Sequence, residues 1–344
     1  MRHGVLHVAA LFLGILSEGC SNWMMKNDYM LSGRTMDLKP TPFEIVAVPQ
    51  GQARGLPEGS NRYGYLAWAP RLGPVHIDRF VLGGMNEAGL SCDMQHLKHT
   101  KHPKKDPSQV NINADQFCEW ALAGFSSAED LHRAMKNVTI IKALVIPDQH
   151  FIVRDAKGVS LVAEFLEGKT HAYLDYNDDG KTGFGITTNE PPLEFHITNV
   201  KHFQWKRSCA RSAVGIPGAF YPDDRFLRIF MFREGMSEPK SYKEAVLQAV
   251  HILNSVTLPV GLQYGTDAGD SPNPKKSGKD YEITLYGVIY DHLNKTLYWR
   301  TNQNQSLQRL RISDLDLKKG AKSRSIHSEN DLPWFLDVSN AFMH

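Results

Sequence analysis

Cys20 closes a short apolar segment and opens the run Cys20-Ser21-Asn22-Trp23, with Gly33-Arg34-Thr35-Met36-Asp37 soon after. A cysteine attacks as its thiolate, so it needs a base within reach. If the chain is cut after Gly19, Cys20 becomes the first residue and its own α-amino group, with an ordinary pKa of about 8, can take the thiol proton. One residue then supplies both nucleophile and base.

The residues before Cys20 predict that cut. Met1-Arg2-His3 is a short cationic start, Val5 to Leu16 is almost wholly apolar, and Ser17-Glu18-Gly19 puts small residues at the third and first positions before the cysteine. That pattern predicts a signal peptide over residues 1–19, a single domain over 20–344, and a secreted or periplasmic destination. An apolar run of about twelve residues, broken by His7, is too short to span a bilayer, so no stable membrane insertion is expected. A lipoprotein cysteine prefers an apolar residue where Ser17 stands and tolerates Glu18 poorly.

Composition narrows the function classes. Hydrophobic residues make up 42% of the chain, charged residues 22%, and the net charge is +2, which is ordinary globular usage without bulk electrostatic bias. The basic stretch Lys98 to Lys105 lacks interleaved aromatic residues, so it reads as a solvated loop and no nucleic-acid partner is expected. With Cys20 set aside, Cys92, Cys118 and Cys209 form an odd set whose pairing does not follow from spacing. His96, His99 and His102 recur every third residue but have no carboxylate or cysteine partners at ligand spacing. Asp175 to Gly180 begins like a calcium loop but has Ile186 where a bidentate glutamate belongs. No metal and no other cofactor is expected. Walker, dinucleotide-binding and Gly-x-Ser-x-Gly patterns are absent from the sequence.

The elements that must position such residues are mostly strands. Glu44–Val48, Phe80–Leu82, Phe151–Val153 and Ser160–Phe165 are short β-rich runs bounded by Gly, Pro or Asp. Asn113–Ala123 has apolar residues at helical spacing, Ser127–Met135 begins with a serine and has acidic residues in its first turn, and Ser241–Leu253 follows Pro239 and ends near Asn254. Tyr281–Tyr290 and Lys295–Thr301 flank Asp291-His292-Leu293-Asn294 as a hairpin, and Asp267–Gly278 reads as a polar loop.

Six ordered blocks carry a resemblance: Cys20 with Gly33–Asp37; Gly84-Met85-Asn86-Glu87-Ala88-Gly89-Leu90; Asp155, Gly158, Ser160, Val162 and Glu164; Thr188-Asn189; Asp224-Arg225-Phe226-Leu227-Arg228; and Tyr290-Asp291, Asn294-Lys295 and Tyr298. Together they resemble the choloylglycine hydrolase and penicillin V acylase family of N-terminal nucleophile hydrolases. The resemblance implies an α+β fold, a four-layer αββα sandwich with two central antiparallel sheets, and a hydrolase that cleaves linear amides. The short segment between Asn189 and Arg225 looks like the secreted, Gram-negative-like branch, and family habit implies a homo-oligomer.

The resemblance also implies roles. Cys20 would be the nucleophile, Arg34 would favour its thiolate, and Asp37 would hold the α-amine. Asn189 would donate to the oxyanion together with the backbone N–H at His96, where relatives place an asparagine or tyrosine. Arg225, rather than Arg228, would support the charge network. Trp23, Met24, Met25, Phe43, Trp68 and the His96 side chain are candidate substrate-binding residues, chosen because they lie in blocks near the nucleophile. The implied substrate is a small molecule in which an amide joins an apolar acyl group to a small polar amine, as in a conjugated bile salt, penicillin V or an N-acyl homoserine lactone. An acid-ceramidase-like lipid amidase and a non-catalytic secreted binding protein on the same scaffold are the alternatives.

Overall fold

The computed structural model describes residues 19–25, 27–53, 56–57, 59, 61–72, 75–76, 80–143, 148–176, 183–208, 215–264, 281–328 and 332–339. Residues 1–18 of the predicted leader, Cys209, the 177–182 part of the Asp175 turn and the 267–278 loop lie outside the described residues.

In chain order the elements are β1 (Ser21–Met24), β2 (Leu31–Leu38), β3 (Phe43–Val48), β4 (Tyr65–Leu72), β5 (Val75–His76), β6 (Gly83–Asn86), β7 (Ser91–His96) and β8 (Val110–Asn113). A 3₁₀ turn over Ala114–Gln116 leads into α1 (Phe117–Gly124), followed by α2 (Ala128–Met135). Then come β9 (Val138–Ile141), β10 (Gln149–Arg154), β11 (Val159–Leu166), β12 (Lys169–Tyr176), β13 (Ile186–Thr188), α3 (Leu193–Ser208), α4 (Pro222–Gly235) and α5 (Tyr242–Val256). The chain continues through β14 (Gln263–Tyr264), β15 (Tyr281–Asp291), β16 (Thr296–Thr301), β17 (Gln308–Arg311) and β18 (Arg324–His327).

Two antiparallel sheets dominate. One runs β13-β1-β2-β15-β16-β17 with β14 added to β15; the other runs β12-β11-β10-β7-β6-β4-β3-β18 with β5 added to β4. Alternation along β1 explains why they stack. Trp23 points outward into an apolar cluster with Phe226, Ile229 and Phe230 of α4 and Ala249, Ile252 and Leu253 of α5. Asn22 points the other way, to Asp93 and Arg154 of the second sheet. The second sheet is covered on its outer side by α1 and α2, where Phe151 stacks on Phe117 at 4.3 Å. The result is the αββα order of layers.

Local signals set several of the boundaries. Ser127 and Ser241 cap α2 and α5, each accepting an N–H three residues on, from Asp130 and Glu244, at 3.2 Å. Asp291 closes the β15–β16 hairpin by accepting the Asn294 N–H at 2.8 Å. Two readings need correction. Phe80–Leu82 is not a strand: β6 starts at Gly83, although Leu82 N–H still bonds the Trp68 carbonyl at 3.0 Å. Helices α3 and α4 were not anticipated, yet Pro222 followed by Asp223 and Asp224 is a helix start, with proline in the first turn and acids against the positive end of the dipole.

Candidate active site

Strand register brings the sequence-distant residues together. Ser21 pairs with Thr188 on one side of β1 and with Thr35 on the other. Cys20, one residue before β1, therefore lies beside Asn189 at the end of β13 and beside Met36 and Asp37 of β2. Its Sγ is 3.9 Å from both Met36 Sδ and the Asp37 carbonyl oxygen, and the residue is 1% exposed. The close approach of β1 and β2 needs Gly33, because a Cβ there would run into the Trp23 indole.

Arg225, in the first turn of α4, ties the two strand ends. One of its terminal nitrogens donates to the Cys20 carbonyl and to Ser21 Oγ, both at 2.7 Å, and the other to Asn189 Oδ1 at 3.0 Å. Asn189 Nδ2 in turn donates to the His96 carbonyl at 2.9 Å. An amide NH₂ has two hydrogens, so this bond orients the second one. Met94 N–H bonds the Leu82 carbonyl, and strand alternation turns the His96 N–H to that same edge of β7. Arg228 is engaged elsewhere, donating to the Pro217 and Ala219 carbonyls at 2.6 and 2.9 Å.

Asp37 is fully buried, accepting from Thr284 Oγ1 at 2.5 Å and Thr35 Oγ1 at 3.2 Å. Burial pushes its carboxyl up to about 7, against the pull of Arg225. Gly19 lies against it: a Cβ on Gly19 would meet Asp37 Cβ at 2.5 Å and Oδ2 at 2.9 Å. The peptide that enters Cys20 thus runs beside the Asp37 carboxylate.

Arg34 reaches from β2 across to the second sheet, donating to Asp93 Oδ1 at 2.9 Å and to the Leu82 and Met94 carbonyls at 3.0 and 2.7 Å. Burial works against its charge, but Tyr286, Asp93, Cys20 and Tyr290 outweigh that and hold its pKa well above the ordinary arginine value. Burial pushes the Asp93 carboxyl up, opposed by Arg34 and by hydrogen bonds from Tyr290 and Asn22. Gly83 makes room for this pair, since a Cβ there would strike both Asp93 Oδ1 and Arg34 Nη1. Removing one partner of such a buried pair typically costs about 3–5 kcal/mol, because the other charge stays behind.

The candidate pocket residues separate. Phe43 and Trp68 lie on the inter-sheet side and pack on Tyr286, at 5.4 and 4.0 Å between ring centroids, and Tyr286 lies under the Arg34 guanidinium. Trp23 and Met25 are core residues of the helix-facing cluster instead. Met24 is buried, its N–H bonded to the Gly185 carbonyl and its own carbonyl to Arg233. The His96 side chain is 8% exposed with Nδ1 3.8 Å from Glu190 Oε2, and burial lowers its pKa.

Sequence reasoning missed Asn22, Asp93 and Arg154, which continue the charge network behind Arg34, and a buried polar group beside Asn189. There Glu164 Oε1 faces His150 Nδ1 at 3.3 Å and accepts the Leu193 N–H, and His196 Nε2 lies 3.2 Å from the Asn189 carbonyl. Burial holds His196 neutral, its pKa near 4. The available signal was polar residues at alternate positions of otherwise apolar strands: Ser91, Asp93 and Gln95 on β7, and on β10 His150 and Arg154, which register places opposite Gln95 and Ser91.

Residues 20–330 match the family described as linear amide C–N hydrolases, choloylglycine hydrolase family. The chain belongs to this family. It is accordingly a hydrolase of linear carbon–nitrogen amides. The bile salt hydrolase/transferase of Clostridium perfringens is 29% identical over 263 residues, covering 68% of this chain and 77% of that protein. The penicillin V acylase of Pectobacterium atrosepticum is 22% identical over 352 residues, 91% of this chain and 85% of that protein. A mutant conjugated bile acid hydrolase from C. perfringens superposes with a TM-score of 0.72 at 22% identity, covering 89% of this chain and 96% of that one. Penicillin V acylase from Agrobacterium tumefaciens gives 0.70 at 19% identity, covering 89% and 90%. These likenesses support the fold assignment, and the family match carries the activity class.

Proposed function

We propose that the protein is a cysteine-dependent amidase whose nucleophile is Cys20 after removal of residues 1–19, and that it works outside the cytoplasm as a homo-oligomer. The single observation that carries this reading is Arg225, bonded at once to the Cys20 carbonyl and to Asn189 Oδ1. It couples the candidate nucleophile to the candidate oxyanion donor.

In this mechanism the α-amine of Cys20, held by Asp37, takes the thiol proton and Sγ attacks the amide carbon. Arg34 stabilises the thiolate through space. The tetrahedral oxygen receives the second Asn189 Nδ2 hydrogen and the His96 N–H. Collapse breaks the C–N bond as the α-ammonium returns its proton to the leaving amine. Water, deprotonated by the α-amine, then attacks the thioester, releasing the acid and restoring the thiol.

The proposed substrate joins an apolar acyl group to a small polar amine. Conjugated bile salts, penicillin V and N-acyl homoserine lactones meet that description, and the first two are named for relatives. Phe43 and Trp68, in the same apolar cluster as Cys20, are the acyl-side candidates.

The test is hydrolysis of glycine- and taurine-conjugated bile salts, penicillin V and long-chain acyl homoserine lactones by protein whose N-terminus is verified as Cys20, beside Cys20→Ala. Turnover abolished by the substitution supports the reading. Equal turnover by Cys20→Ala, or none from verified mature protein, rejects it.

A further inference from the structure

Cys92 lies in the middle of β7 and Cys118 at the second position of α1, and both are fully buried. Their side chains face each other across the interface of helix and sheet with the sulfurs 2.6 Å apart, and burial pushes the Cys92 thiol up. A bonded pair has its sulfurs at about 2.05 Å, so closure asks for about half an ångström of adjustment. Cys20 takes no part, since its sulfur is directed at Met36 and Asp37 on the other sheet.

We propose that Cys92 and Cys118 are joined by a disulfide that braces β7 against α1. The two thiols lose two hydrogens, as two protons and two electrons, to an exchanging small-molecule or protein disulfide, which is reduced to two thiols; this step rests on the location outside the cytoplasm proposed above. No atom of the catalytic thiol is consumed.

The brace falls where the site is most dependent on one strand. The residue after Cys92 is Asp93, which holds Arg34, and the next carbonyls of β7, from Met94 and His96, accept Arg34 and Asn189. α1 bonds to the turn before β7 as well: Asn86 Nδ2 donates to the Leu122 and Phe125 carbonyls at 2.8 and 2.7 Å. A covalent link at Cys92 fixes the same strand at its other side. The loop it closes, from 92 to 118, is long enough for cross-linking to restrict the unfolded chain appreciably.

Two samples test this: full chain exported through an oxidising secretory route, and denatured, reduced protein refolded in a buffer of oxidised and reduced glutathione. Each is denatured with iodoacetamide and no reductant, digested and read by mass spectrometry. The expected result is one peptide pair lighter by two hydrogens and joined through Cys92 and Cys118, with Cys20 alkylated. Alkylation of both Cys92 and Cys118 in the two samples, or linkage of either to Cys20 or Cys209, overturns the assignment. The oxidised form melts roughly 5 °C above protein refolded with reduced glutathione alone. Equal melting temperatures would overturn the bracing role. Both readouts are independent of amidase activity.

Discussion

Arg225 and Asn189 meet at 3.0 Å across a gap of helix and strand, the guanidinium on the first turn of α4 and the amide just past β13. Because Arg225 also holds the Cys20 carbonyl, one arginine sets the distance between the proposed nucleophile and the proposed oxyanion donor.

Replacing that fork by a single ammonium removes one of the two attachments. Arg225→Lys is expected to lower kcat by about 10²-fold with KM changed little, since misplacement of roughly 1 Å costs that much. Steady-state kinetics on the best substrate, with circular dichroism as the folding control, checks this. An equal rise in KM at constant kcat would contradict it.

Asn189→Ala deletes both the bond to His96 and the donor proposed for the oxyanion. The expected loss is about 10²–10³-fold in kcat. Thermal melting of the same sample separates lost chemistry from lost packing, because a change confined to catalysis leaves the transition near that of the parent.

Gly19 distinguishes a retained leader from a removed one. Gly19→Val in the uncut chain forces a side chain into Asp37 Cβ and Leu258, so soluble yield of that form should fall sharply. Protein expressed to begin at Cys20 has no residue 19 and should match the parent in yield and melting temperature. Comparable yields of the uncut Gly19→Val variant and the uncut parent would argue against that packing.

Asp37 predicts a pH dependence of stability. In the uncut chain, where no α-ammonium faces the carboxylate, its folded pKa of about 7 lies above the ordinary carboxylate value, so between about pH 4 and 7 the folded state binds more protons than the unfolded one. Stability from this group is therefore complete below pH 4 and declines as pH rises through 7, by on the order of 4 kcal/mol in total. Asp37→Asn should flatten that part of the curve in urea titrations of the uncut chain. A curve of unchanged slope would remove Asp37 as its source.

The ordered blocks, strands β3, β10, β11, β15 and β16, and helices α1, α2 and α5 were legible along the chain. Cys20 stands out by itself, as a cysteine behind a cleavable leader, whereas Arg34, Asp37 and Asn189 became candidates only through the family resemblance; Ser127 and Asp291 were legible because caps and turns are local. Packing decides which arginine reaches Cys20: Arg225 and Arg228 share a helix and a local pattern, and only the seating of α4 on β1 sends one to the Cys20 carbonyl and the other to the Pro217 and Ala219 carbonyls. It also sends Trp23 to the helices and Trp68 to Tyr286, because a strand in a sandwich has apolar neighbours on both faces and composition does not say which face meets the site. The partnership of Arg34 with Asp93 was hidden for the same reason. It joins two sheets through residues 59 positions apart, and no local rule of sequence reaches that far.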